Sequence, residues 1–139
     1  MTNGTWKGSL GGYSGADAKC NADGKKPKGS AAGAGKTYKA LVNGNNATTY
    51  GVRYYRTDGL TLIATATGGN LVGSSSLSNA INSASPKNAW TGAGNNCSTW
   101  TSESGTSISI GASTANTSSW WAASVSSCSV SNALYCVAQ

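Results

Sequence analysis

Four cysteines, Cys20, Cys97, Cys128 and Cys136, offer the most chemistry in this chain, and their spacing narrows what that chemistry is. Zinc coordination and thiol exchange favour Cys-x-x-Cys pairs or accompanying histidines. The chain has no such pair and its histidine count is 0. An even number of well-separated cysteines instead predicts two disulfides, and with them an oxidising compartment. Spacing alone leaves three pairings open.

The other reactive side chains point away from catalysis. A nucleophile needs a base beside it, and Ser is so abundant here that any Ser–Lys pairing is expected by chance. Paired-carboxylate hydrolysis needs two acids about 5–10 Å apart. The acids are Asp17, Asp23, Asp58 and Glu103. Asp17 and Asp23 fall on different faces of one predicted helix, and Asp58 sits in a predicted turn. Gly33-Ala34-Gly35-Lys36-Thr37 echoes a phosphate loop, but it lacks the G-x-x-x-x-G-K-[ST] spacing and precedes a strand. We therefore expect no enzyme, no metal and no cofactor.

Composition sets the scaffold. At 139 residues the expectation is one domain, 1–139. Leu, Ile and Val together number 17 and Phe is absent, so five Trp and six Tyr must supply core volume. A core that thin needs covalent help. There is no basic-then-apolar leader and no apolar run near the ~20 residues of a membrane span, so no membrane insertion is expected. We read Met1-Thr2-Asn3 as an expression start on a domain excised from a longer exported protein. Net charge is +6 and uneven: residues 1–69 hold nine Lys/Arg against Asp17, Asp23 and Asp58, and residues 70–139 hold Lys87 and Glu103. Such a basic half suits an anionic partner, although Lys25, Lys26 and Lys28 also serve simply to keep a turn solvated. No Arg–aromatic interleaving or known motif marks nucleic-acid binding.

The elements that must position these residues follow from local pattern. Ser14 as N-cap with Asp17 completing a capping box, then Ala16, Ala18 and Ala22, then Gly24 as C′ glycine, predict a helix with Cys20 facing the core. Residues 25–35 form a polar loop. Residues 37–42 predict a strand, and Asp58-Gly59 between 52–55 and 60–64 predicts a hairpin. Leu77, Ala80, Ile81 and Ala84, with Ser76 as cap and Pro86 as stop, predict a second short helix. Residues 89–91, 97–101, 107–110 and 134–137 are short β candidates among Gly/Asn/Ser/Thr stretches. The order implies an α+β class with two short helices, small antiparallel sheets and a long-loop region.

GGYSGADAKCNADG (11–24), TYKALV (37–42), YYRTDGLTLIATA (54–66), AWTGAGNNCSTWTS (89–102), SSWW (118–121) and SCSVSNALYCVAQ (127–139) stand in one order along the chain. In that order they resemble a bacterial lectin-like domain family of unknown function, typified by the leptospiral endostatin-like (Len) surface proteins, over residues 4–139. The resemblance implies a C-type-lectin/endostatin-like fold with disulfides Cys20–Cys136 and Cys97–Cys128. It also implies an extracellular adhesion domain that contacts host matrix or complement regulators. The chain departs from sugar-binding C-type lectins in lacking their EPN, QPD and WND calcium motifs. Glu103 is the one carboxylate of the loop-rich half, so any sugar binding is expected to be calcium-independent.

Without charge, a loop face binds sugar by ring stacking and amide hydrogen bonds. Trp90, Trp100 and Trp120 match the family's landmarks and are expected in the core. Trp121 follows Trp120, and if the segment is extended it points outward, which makes it the leading ligand-contact candidate. Asn95, Asn96 and Asn116 lie in adjoining loops as further ligand-contact candidates, although turn formation is the commoner role of such residues and explains them entirely. Tyr54 and Tyr55 alternate, flanked by Arg53 and Arg56. The functional expectation is a recognition domain for a host or prey surface glycan or matrix protein, displayed at the cell surface. The competing expectation is a structural cap or oligomerising tip module of a surface fibre, as a homotrimer, with no ligand of its own.

Overall fold

The computed structural model describes all 139 residues. Its first element, α1 (Gly12–Ala22), lies where alanine content predicted a helix and buries Ala16 and Cys20, one turn apart, on a single face. The ends differ from expectation. The N-cap is Gly11, at φ 87°, and no side chain caps the helix; the N–H groups of Gly11 and Gly12 donate to the Trp100 carbonyl instead. Ser14 therefore lies inside the helix. Asp17 is drawn off to the neighbouring strand, accepting the Ala40 N–H at 2.8 Å and an Asn45 amide hydrogen at 2.7 Å. The chain leaves the helix extended at Asp23, so Gly24 caps nothing.

Asn21 clamps α1 to β1 (Tyr38–Ala40), accepting the Tyr38 N–H and donating to the Tyr38 carbonyl. β1 pairs antiparallel with the last strand, β8 (Cys136–Ala138), placing Ala40 opposite Cys136. Cys20 on the helix is thereby brought onto Cys136. The bonds are Cys20–Cys136 and Cys97–Cys128, with Cα separations of 5.7 and 5.8 Å, the pairing that the resemblance implied.

The hairpin is present as β2 (Arg53–Tyr55) and β3 (Leu62–Thr65), with a register shift between Tyr54 and Tyr55. Its turn is wider than two residues, because Asp58 folds the loop around itself. Asp58 accepts the N–H groups of Leu60 and Thr61, both at 2.8 Å, and the Thr61 hydroxyl at 2.7 Å. The third sheet has the order β6-β5-β4-β7, from β4 (Asn88–Trp90), β5 (Ile108–Ala112), β6 (Ser124–Ser126) and β7 (Ala133–Leu134). β4 and β7 run parallel, so this sheet is mixed where only antiparallel sheets were expected. β5 passes so close to Trp120 that a side chain at Gly111 would overlap the Trp120 carbonyl oxygen.

Two expected elements are absent. Residues 77–84 are irregular, because their N–H groups go to distant carbonyls: Leu77 to Asn116, Ser78 to Ile63 and Asn82 to Ser113. Of the four periodic residues Leu77 is buried, Ala80 and Ile81 are half-buried and Ala84 is exposed, so the spacing marked neither a helix nor one continuous buried face. The second helix of the chain is instead α2 (Ser119–Ala122). Residues 97–101 are not a strand either. Ser98, Thr99 and Trp100 take positive φ values of 49°, 57° and 66°, a left-handed turn closed by Thr101 and Ser102 N–H groups on the Cys97 carbonyl. Each such residue costs roughly 1–2 kcal/mol, offset here by complete burial of the Trp100 ring.

Two apolar clusters make the core, and the strands lie between them. Ala40, Val42, Trp90 and Leu134 feed the first cluster, with Leu10, Ala16, Trp100, Ile108 and Ile110. Their chain neighbours Leu41, Ala89 and Tyr135 feed the second, with Ile63, Leu71, Leu77, Trp120 and Trp121. This is strand alternation with both faces dry. The indole N–H groups of Trp90 and Trp120 are satisfied by the carbonyls of Trp6 and Ser75.

Candidate functional site

Trp121 does not point outward as expected. It is 4% exposed and stacks on Trp120 with ring centroids 5.0 Å apart. Alternation failed because residues 119–122 form a helical turn, in which neighbouring side chains are about 100° apart and not opposed. Trp90, Trp100 and Trp120 are buried, as expected. Asn95 is exposed, and the Asn96 side-chain oxygen caps the Thr99 N–H at 2.8 Å, holding the left-handed turn. Asn116 is exposed and its carbonyl accepts the Leu77 N–H. Asn95 and Asn96 thus border the first cluster beside Trp100, and Asn116 the second, with no exposed Trp to organise them into one surface.

Tyr54 lies elsewhere, in a groove that the sequence did not reveal. One wall is the β2–β3 hairpin with its 56–61 loop; the other is the lysine-rich loop 25–36 with β1 and β8. The groove comprises two adjoining hollows of about 300 and 380 Å³, which share Tyr38, Tyr55, Arg56, Thr57, Ile63, Ile81 and Cys136. The walls meet at their rims, where the backbone of Gly59 at the hairpin tip packs against Ala32.

Local structure explains each side chain. Tyr38 is buried on β1 and its hydroxyl donates to the Gly33 carbonyl at 3.0 Å. Gly33 sits at φ 82°, and a side chain there would overlap the Tyr38 hydroxyl, so the loop closes on Tyr38 only with glycine. Lys26 lies 5.7 Å from the Tyr38 ring centroid, within cation–π range. Tyr54 packs on the second cluster and its hydroxyl accepts the Thr49 N–H at 3.0 Å. Tyr55, its neighbour, is 43% exposed. Tyr50, ahead of β2, and Leu60, in the hairpin loop, are the most exposed large apolar side chains of the chain, and neither lines the hollows.

The electrostatics are one-sided. Asp23 and Asp58 line the first hollow, but their oxygens are hydrogen-bonded by backbone N–H donors and form no ion pair. Partial burial pushes the Asp23 carboxyl up, yet N–H bonds from Gly4, Asn3 and Lys25 outweigh it and hold the carboxyl below the usual range. Bonds from the Thr61 backbone and hydroxyl and from Leu60 do the same for Asp58. The one ion pair of the structure, Lys7–Glu103 at 2.9 Å, is not part of the groove. Lys25, Lys26, Lys36, Arg53 and Arg56 therefore face the groove without a carboxylate partner. Arg56 is positioned by its Nε donating to the Ala80 carbonyl at 2.8 Å.

No protein-family model, curated protein or solved structure matches the chain. Its chemistry must be read from the residues themselves. No three of its Cys, Asp and Glu side chains come together as metal ligands, and no helix is long and apolar enough to cross a membrane. Two disulfides in a small domain are compatible with an exported protein. The groove offers aromatic faces, hydroxyls and fixed cations, which suits binding. Arg53, Tyr55 and Arg56 are already marked around Tyr54 by the sequence, whereas Lys36 and Tyr38 are not, and the signal for Lys36 is the concentration of positive charge before residue 70.

Proposed function

We propose that this chain is an exported, non-catalytic recognition domain of C-type-lectin-like fold that binds a host or prey surface glycan, without calcium, in the groove between the β2–β3 hairpin and loop 25–36. The observation that supports this reading most is the tyrosine-lined groove itself. Hollows of about 300 and 380 Å³ match the small end of ligand sites. Tyr55 presents a ring beside Arg53 and Arg56, the combination that stacks on a pyranose face and bonds its hydroxyls. A location on the hairpin side replaces the loop face suggested by Trp121.

A glycan array followed by titration tests the reading. Saturable binding of an oligosaccharide, weakened about tenfold by Tyr55→Ala, is the expected result. Binding to a matrix protein with no sugar retained moves the partner to the protein class. Absence of any ligand, with a stable oligomer by light scattering, favours the structural tip module instead.

A further inference from the structure

We infer that the second hollow selects acidic glycans, sugar chains carrying carboxylate or sulfate groups. The inference deepens the proposed glycan recognition and rests on it. Three cations, Lys36, Arg53 and Arg56, line this hollow, no Asp or Glu side chain does, and Gln139, which also lines it, forms no ion pair through its α-carboxylate. Neither Lys36 nor Arg53 takes part in the ion pair of the structure. Arg56 has only its Nε engaged, by the Ala80 carbonyl, so its terminal nitrogens stay available to an oxyanion. A guanidinium fork matches carboxylate and sulfate oxygens, and pairing it there avoids leaving a cation in a half-enclosed site without a counter-charge.

The neighbouring acids form no ion pair with these cations, although Asp58 lies near enough to Arg56 to feel its charge. Asp58 lines the first hollow and not the second, and is occupied by the Leu60 and Thr61 N–H groups and the Thr61 hydroxyl. Asp23 belongs to the other hollow and is occupied by Asn3, Gly4 and Lys25. Tyr54 and Tyr55 line the same hollow as the cations. One monosaccharide unit thus meets an aromatic face and a positive head together, which a neutral sugar uses only in part.

Three octasaccharide probes separate the outcomes: hyaluronan with carboxylates alone, chondroitin sulfate with carboxylates and sulfates, and neutral chito-oligosaccharide. Either acidic probe should bind about tenfold tighter than the neutral one, and the difference should shrink as salt rises. Arg53→Ala and Lys36→Ala should each weaken the acidic probes about fivefold or more. Lys7→Ala, which removes the same charge outside the groove, should change them less than about twofold. Equal, salt-insensitive binding of all three probes overturns acid selectivity and leaves glycan recognition standing. Equal losses in the Lys7 and Arg53 variants overturn it by showing diffuse attraction of a basic protein. Binding of none of the probes, or of a poly-glutamate peptide alone, overturns both readings.

Discussion

The Thr91 hydroxyl lies 2.6 Å from the Trp121 carbonyl oxygen and 3.0 Å from that of Ser109. One fully buried donor therefore ties the end of β4 to both α2 and β5. Thr91→Val keeps the shape and removes the donor, leaving the Trp121 carbonyl without its hydroxyl partner while the Ser109 carbonyl keeps the Thr91 and Gly92 N–H groups. The variant should lose about 1–3 kcal/mol of stability in urea unfolding. A loss under about 0.5 kcal/mol, as for a surface change, would remove the hydroxyl from any structural role.

The two disulfides should contribute unequally. Cys20–Cys136 spans 116 residues and Cys97–Cys128 spans 31. Restriction of the unfolded chain grows with the logarithm of the loop, giving the longer link an advantage of about 1 kcal/mol. The Cys20→Ala/Cys136→Ala double variant should unfold at lower denaturant than the Cys97→Ala/Cys128→Ala one. The reverse order would show that native-state contacts around Cys97 and Cys128 outweigh chain entropy.

Acid should weaken the fold through Asp23 and Asp58. Both carboxyls have folded pKa values below the ordinary 3.8, so the folded chain binds fewer protons than the unfolded one. That contribution is complete above the ordinary value and is lost as pH falls through the depressed one. Urea midpoints should hold steady with respect to these groups near pH 6 and fall between about pH 4 and pH 2. In Asp23→Asn the fall should be shallower. An identical slope in that variant would mean that the N–H groups of Asn3, Gly4 and Lys25 do not favour the ionised form.

Several parts of this molecule are legible in its residues because residue type and burial go together. The oxidised cysteines, the buried Trp90, Trp100 and Trp120, the Ala-rich α1 and the hairpin around Asp58-Gly59 are of this kind. The missing helix at 77–84 shows the limit. Leu77 faces the core with its N–H on Asn116, and apolar spacing cannot tell a helical partner from a distant one. Trp121 failed for a related reason, since four helical residues suffice to void alternation. The groove was the least visible feature. Its walls come from residues 25–36, 53–58 and 136–139, which no local pattern connects.

Every cysteine belongs to, or packs on, the first cluster, and none belongs to the second. The groove thus has one edge pinned at Cys136 and another, the hairpin, held by packing and hydrogen bonds alone. In the proposed recognition role, a ligand would meet one covalently tied wall opposite one that no disulfide holds. Replacements along that second wall could then retune what is gripped without disturbing the riveted half of the molecule.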